Sequence, residues 1–154
     1  MDNTTLSIII VNYNTKKLTI EAIESIENHY PKEVASGEYE VIVTDNASPD
    51  ASLAAFQEYG KKTKIKSYRV LDNGGNIGFA AGNNHGISYA TGKYVLFLNP
   101  DTIVYEKTLT RLVHFMEEHP DAGAVTCKVE IPSGGIDEAS HRGFPTPWNA
   151  FTHF

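Results

Sequence analysis

Hydrophobic and polar positions fall into blocks along this chain, and the blocks switch between two periods. Residues 7–11 (Ser-Ile-Ile-Ile-Val) form a β-branched run with no polar break inside it, the pattern of a buried strand. The run ends in a polar turn, Asn12-Tyr13-Asn14-Thr15, where Thr15 is placed to cap a helix. Leu18, Ala22, Ile23 and Ile26 follow at helical spacing, and the pattern stops near His29-Tyr30-Pro31. Residues 40–45 predict a second strand that ends on Asp45. Ser48-Pro49-Asp50 then joins an N-cap, a proline for the first helical position and an acid for the first turn. A helix is predicted to open there, carry Leu53 and Phe56, and end at Gly60.

The second half repeats the alternation. Residues 65–71 predict a third strand, followed by the loop Asp72-Asn73-Gly74-Gly75-Asn76-Ile77-Gly78 and a helix over about 79–90. Gly82 and Gly86 sit four apart on that helix; glycine costs helix propensity, so close packing against a sheet or a ligand is expected to compensate. Residues 94–98 (Tyr-Val-Leu-Phe-Leu), bounded by Gly92 and Pro100, predict a strand buried on both faces, with a buried helical segment as the competing reading. An amphipathic helix with Leu109, Leu112, Val113 and Met116 follows, then Pro120 and a last strand over 122–129. This order places the chain in the α/β class, a mainly parallel open sheet flanked by helices. The expected organisation is an α/β domain over residues 1–130 and an irregular tail over 131–154.

Composition narrows the functions open to such a fold. With 154 residues and 41% apolar content there is enough chain for one domain with a real core. The net charge of −6, without a Lys/Arg cluster, argues against nucleic acid as a partner. One cysteine, Cys127, excludes an internal disulfide and a cysteine-rich zinc site; it lies in an apolar run and reads as a small buried residue. No apolar run reaches the ~18–20 residues of a membrane span, and the expectation is a cytoplasmic protein. The lysines at 61, 62, 64 and 66 read as solvated surface, with attraction to a membrane face as the minor alternative.

A parallel sheet gathers the carboxyl ends of its strands on one rim, and ligands of open α/β sheets bind there. That geometry brings Asn12, Asp45, the Asn76 loop and Asp101 together across some ninety residues of sequence. Asp101 offers a carboxylate beside a short turn, which suits Mg²⁺ or Mn²⁺, ions that take one or two protein carboxylates and fill the rest with phosphate oxygens and water. An Asp that merely opens the next turn is the alternative. Asp45 offers an acceptor-only carboxylate for a ring N–H or sugar hydroxyl, Asn12 and Asn76 offer amides, and Tyr13 an aromatic face or a packed sheet edge. The helix start near Gly78 offers backbone N–H groups to anions. Together these suit a nucleoside diphosphate carrying a metal, whereas the Gly-x-Gly-x-x-Gly and Gly-x-x-x-x-Gly-Lys-Ser/Thr loops are absent.

Four blocks in this order, SIIIVNYN at 7–14, VIVTDNASPD at 41–50, NIGFAAGNNHGI at 76–87 and TGKYVLFLNPDT at 91–102, resemble the inverting glycosyltransferases of family 2, which have the GT-A fold of nucleotide-diphospho-sugar transferases. LNPD at 98–101 and SGGIDEASHRGFPTPW at 133–148 look most like the bacterial rhamnosyltransferase-like branch, which builds cell-surface polysaccharides. The resemblance implies that Asp45 holds the nucleobase ring N–H, that Asn12 and Tyr13 line the base pocket, and that Asn76 and Gly78 contact the nucleoside or diphosphate. Asn99 and Asp101 take the first and last positions of the family's Asp-x-Asp motif, Asp101 keeping the metal ligand. Asn99 removes one negative charge there, worth about 4 kcal/mol at ~4 Å and an effective dielectric of ~20. Asn46 likewise replaces the second residue of a common Asp-Asp pair.

The implied activity is transfer of a sugar from a dTDP- or UDP-linked donor to a hydroxyl of a glycan or lipid-linked acceptor, with inversion, in the cytoplasm or peripherally at the inner membrane face. The family's Glu-Asp motif, which supplies the general base, is not found; Asp137 and Glu138 are the acids of the tail. The chain is therefore expected to be the donor-binding portion, with Trp148, Phe151 and Phe154 available for self-association. A non-catalytic nucleotide-sugar-binding module is the rival reading, and a nucleotidyltransferase the weaker third.

Overall fold

The computed structural model describes residues 4–137 and residue 140. The chain divides into two compact units, residues 1–114 and 115–154, so the boundary expected at 130 and 131 lies inside the second. The first unit holds β1 (Leu6–Asn12), α1 (Lys16–His29), α2 (Pro31–Ser36), β2 (Tyr39–Asp45), α3 (Ser52–Gly60), β3 (Tyr68–Asp72), α4 (Phe79–Ile87) and β4 (Tyr94–Leu98). Helix α5 (Thr108–Glu118) runs across the division.

The four strands form one parallel sheet in the order β3-β2-β1-β4, the α/β architecture that the alternation of periods predicts. Every residue of β1 and β2 is buried, as an unbroken apolar run requires of a central parallel strand. On one face Ile8, Ile10, Val41 and Val43 meet Ile23 and Ile26 of α1 and Phe56 of α3. On the other face α4 lies over β1 and β2, and its two glycines let it lie close. A Cβ on Gly82 would stand 2.9 Å from Cγ1 of Val11, and one on Gly86 would stand 2.6 Å from Cγ2 of Ile9. The lost helix propensity is thus offset by backbone-to-sheet packing, as expected.

Several expectations are corrected. β4 is not buried on both faces: Val95 and Phe97 are 39% and 51% exposed, because α4 packs over β1 and β2 and leaves that face of the edge strand β4 uncovered among the described residues. The helix predicted to open at Ser48 starts at Ser52, because the Ser48 hydroxyl is drawn into the Asp45 carboxylate instead. Asp50 provides the start, accepting from the Ser52 amide at 3.1 Å. Thr15 is the residue before α1 but does not cap it; its hydroxyl donates to Asn12. A short helix, α2, stands where the pattern ended at Pro31.

In the second unit, residues 122–129 carry no strand, and Cys127 is partly exposed rather than buried. An extended run becomes a strand only by pairing its backbone groups residue after residue, and among the described residues no such ladder forms over 122–129. An isolated antiparallel bridge joins Glu130 to Ile136, and the Asp137 amide donates to the Val129 carbonyl at 2.9 Å. Glu138, Trp148, Phe151 and Phe154 lie outside the described residues. Among the described residues, no helix is long and apolar enough to cross a membrane.

Candidate functional site

Chain order along the sheet fixes where a site can open. The crossovers from β1 through β2 to β3 run one way, and β4 then returns to the opposite side of β1. Such a reversal leaves a crevice outside the carboxyl ends of the two strands that flank it. A cleft of about 310 Å³ opens there. Val11, Tyr13 and Thr15 wall it from the end of β1, and Asn99, Pro100 and Asp101 from the end of β4. Asn46, just past β2, and Asn76 and Phe79, from the loop into α4, complete the wall. Asp101 is the one carboxylate among these residues, and it is exposed.

Of the expected residues, Tyr13, Asn76, Asn99 and Asp101 therefore share one cleft. Asn12 and Asp45 stand behind its wall, fully buried and bonded to each other. Asp45 Oδ1 accepts from Asn12 Nδ2 at 2.6 Å and from the Ser48 hydroxyl at 2.6 Å, while Oδ2 accepts from the Ser48 amide at 3.0 Å. Asn12 Oδ1 in turn accepts from the hydroxyls of Thr15 at 2.9 Å and Thr19 at 2.8 Å. These bonds tie the ends of β1 and β2 to the start of α1, holding Tyr13, Thr15 and Asn46 where they meet the cleft. The Gly78 amide donates to Asn76 Oδ1 at 3.1 Å, so it is engaged within its own loop.

Asn46, Thr15 and Phe79 are wall residues that no sequence argument singled out as such. Successive residues at a strand end point opposite ways, but which of Asp45 and Asn46 meets the cleft is not written in the sequence; Asn46, itself 2% exposed, is the one in its wall. Asn46 is held by the 73–78 loop. Its Oδ1 accepts from Asn73 Nδ2 at 2.7 Å, and its Nδ2 donates to the Gly78 carbonyl at 3.3 Å and to Asn76 Oδ1 at 3.4 Å. Asn73 Oδ1 bonds in turn to Nδ1 of His85 on α4.

The far end of the sheet is fixed by a buried carboxylate. Glu40 Oε1 accepts from the Ser7 hydroxyl at 2.6 Å and from the Thr91 amide and hydroxyl at 2.6 and 2.9 Å. Burial pushes this carboxyl up, but the bonds from Ser7 and Thr91 and the charge of Arg69 outweigh it and hold it below the usual range. The turn that feeds β4 is thereby locked to β1 and β2, which sets the position of Asn99 and Asp101 at the other end.

No cluster of three or more His, Cys, Asp or Glu side chains able to hold a metal exists among the described residues. One exposed carboxylate beside an amide still fits Mg²⁺ or Mn²⁺, whose remaining positions phosphate oxygens and water fill.

The chain is similar to several known proteins. The family described as Glycosyl transferase family 2 matches residues 7–153. The Bacillus subtilis minor teichoic acid biosynthesis protein GgaB is 34% identical over 76% of this chain, which covers 12% of that protein's length. The structure of Staphylococcus aureus TarS 1-349 in complex with UDP-GlcNAc superposes with a TM-score of 0.63 and 28% identity, covering 76% of this chain and 32% of TarS 1-349. The mannosyltransferase PcManGT of Pyrobaculum calidifontis, in complex with GDP-Man and Mn²⁺, superposes at 0.73 with 26% identity, over 83% of this chain and 36% of its own. The chain thus spans a small part of the length of such relatives.

Proposed function

Because the chain belongs to glycosyl transferase family 2 and has the GT-A architecture, we propose that its cleft binds the nucleoside diphosphate of a sugar donor for transfer to an acceptor hydroxyl. The observation that carries this reading is the meeting of Tyr13, Asn46, Asn76, Asn99 and Asp101 in one cleft between the ends of β1 and β4. The UDP, UDP-GlcNAc and GDP-Man named for the solved neighbours support a nucleotide-sugar ligand.

In this reading the base lies against Tyr13 and the amides of Asn46 and Asn76, with Asp45 and Asn12 setting that end from behind. The diphosphate lies toward Asn99 and Asp101. Asp101, with Asn99 beside it, would hold Mg²⁺ or Mn²⁺, which supplies neutralisation of charge on the departing diphosphate. Transfer is a single displacement with inversion: the acceptor oxygen bonds to the anomeric carbon as the bond to the diphosphate breaks, and a base takes the hydroxyl proton. The rhamnosyltransferase-like wording favours a dTDP-linked donor, and GgaB's name supports a cell-surface polymer as acceptor, reached at the inner membrane face.

One observation favours the rival reading, a binding module without turnover: Asp101 is the sole carboxylate of the described wall, which leaves no separate base in it. Product formation from this chain separates the two. Binding itself is tested by thermal unfolding with dTDP-, UDP- and GDP-sugars, with and without Mg²⁺ or Mn²⁺. A donor at a hundredfold excess over its dissociation constant stabilises by about 2.7 kcal/mol, a shift of roughly 5–10 °C. Asp101→Asn is expected to remove the metal-dependent part of that shift and leave the rest. No shift with any donor, metal present, overturns the proposal.

A further inference from the structure

We infer that Ser25 of α1 and Tyr30 just past its end are positioning residues: they hold the turn that carries Asp101 and thereby set how tightly the cleft takes a divalent cation with the diphosphate. The inference rests on the donor-binding reading above and deepens it.

Asp101 lies in a stretch without regular structure, between the end of β4 at Leu98 and the start of α5 at Thr108. Its side chain is exposed, so packing does not fix it, and its place is inherited from the backbone on either side. Upstream, that backbone is secured by β4, whose Leu98 pairs with Ile10 of β1. The Thr102 amide then closes a turn onto the Asn99 carbonyl at 3.2 Å. Downstream, Val104 is the one buried residue of the stretch, 4% exposed, and its amide donates to the Ser25 hydroxyl at 3.0 Å.

The bonding capacity of both anchors is used on this stretch. Ser25 donates its own proton to the Ala22 carbonyl at 2.7 Å, which leaves its lone pairs for Val104. The Tyr30 hydroxyl donates to the Tyr105 carbonyl at 2.9 Å and accepts from the Leu109 amide at 2.8 Å. That amide belongs to the first turn of α5, where backbone donors have no partner within the helix. Ser25 and Tyr30 are themselves buried, and α1 is packed on the sheet through Ile23 and Ile26. The one carboxylate of the cleft wall is thus tied, through Val104, to a helix residue 79 positions earlier in the chain. Mg²⁺ takes its oxygens at about 2.0–2.1 Å in near-ideal octahedral geometry, so a carboxylate displaced by ~1 Å loses the bond.

The test is binding of dTDP, UDP and GDP to the full chain with Mg²⁺ and with EDTA; the ratio of the two dissociation constants is the metal gain. Ser25→Ala removes the acceptor for Val104, and Tyr30→Phe removes a hydroxyl but keeps the ring against Tyr39. Each is expected to lower the gain by about three- to tenfold, short of the roughly 10–100-fold lost with a direct partner of a metal ligand. Binding in EDTA should stay within about twofold of the parent. Tyr59→Phe is the control and should leave the gain unchanged. It deletes a hydroxyl that donates to Glu27 at 2.7 Å, from a ring packed on Tyr68 of β3, the opposite edge of the sheet from β4. In an Asp101→Asn background, Ser25→Ala should lower the gain no further. Thermal unfolding without ligand shows which variants are folded. Hydrogen exchange in the parent needs none of them: the Val104 and Leu109 amides should exchange ~10-fold or more slowly than those of Ile103 and Glu106. A folded Ser25→Ala or Tyr30→Phe that keeps the parental gain, an equal loss in Tyr59→Phe, a further loss in the Asp101→Asn background, or unprotected Val104 and Leu109 amides overturns the positioning role and leaves the donor-binding reading standing. A parent that binds a nucleotide without a metal gain overturns the inference alone, and one that binds none overturns both.

Discussion

Gly86→Ala adds one methyl group where α4 crosses the sheet, and two effects of opposite sign decide its outcome. Alanine in place of glycine inside a helix is favourable by about 1 kcal/mol. The new Cβ, however, would stand 2.6 Å from Ile9 Cγ2 and 3.3 Å from both Ile9 Cδ1 and Thr44 Cγ2. Ile9 and Thr44 are fully buried in the two central strands and have nowhere to move. Restoring an ordinary carbon contact of ~3.5–4 Å requires α4 to lift by about 1 Å, and overpacking of this kind costs ~1–3 kcal/mol. With neighbours that cannot yield to a 2.6 Å contact, the cost falls in the upper part of that range, about 2–3 kcal/mol, so packing wins by about 1–2 kcal/mol net and lowers the melting temperature by roughly 2–8 °C. Gly75→Ala is the control: nothing lies within 4 Å of a Cβ there, so it should melt within ~1–2 °C of the parent. Because α4 carries the loop with Asn76, Gly86→Ala should also weaken nucleotide binding. Circular-dichroism melts of the three proteins check the first part and the donor titration the second. A Gly86→Ala variant as stable as the parent, or more so, would refute the packing account.

Asp45→Ala leaves Asn12 Nδ2 and the Ser48 amide short of an acceptor in a buried place, which should cost ~2–3 kcal/mol in denaturant titrations and weaken donor binding with or without metal. Acid stability should follow Glu40. Its folded-state pKa lies below the usual 4.5, so its contribution is fully present above that value and is lost as pH falls through the lower one. The melting temperature is therefore expected to drop below pH ~4.5, and Glu40→Gln to be less stable at neutral pH with a shallower acid limb. An unchanged slope in that variant would count against the buried carboxylate as a source of acid sensitivity.

How much of this was legible in the sequence differs by element. Residues 94–98 gave the bounds of β4 to the residue, because glycine and proline punctuate backbone geometry locally. The same residues misled on burial: an apolar run says that a strand is hydrophobic, not whether a neighbour covers both faces. Gly82 and Gly86 announced the close approach of α4, since only a nearby surface offsets two glycines in a helix. The run at 122–129 has strand character and no strand, for pairing needs a partner that periodicity does not name.

Of the expected residues, Tyr13, Asn76, Asn99 and Asp101 meet in one cleft, because each lies at or just beyond the carboxyl end of a strand. Sequence by itself thus determined the class of the fold, the order of its four paired strands along the chain and the rim on which the cleft opens. It did not separate Asp45, bonded to Asn12 and Ser48, from Asn46, which forms part of the cleft wall, nor mark His85 as the partner of Asn73. Those assignments, and the placement of β4 beside β1, were decided only by the tertiary structure. The physical reason is that local preferences act over a few residues, whereas a side chain's role also depends on partners far along the chain, as Asn12 and Asp45 are 33 positions apart, which only the assembled sheet brings within hydrogen-bonding distance.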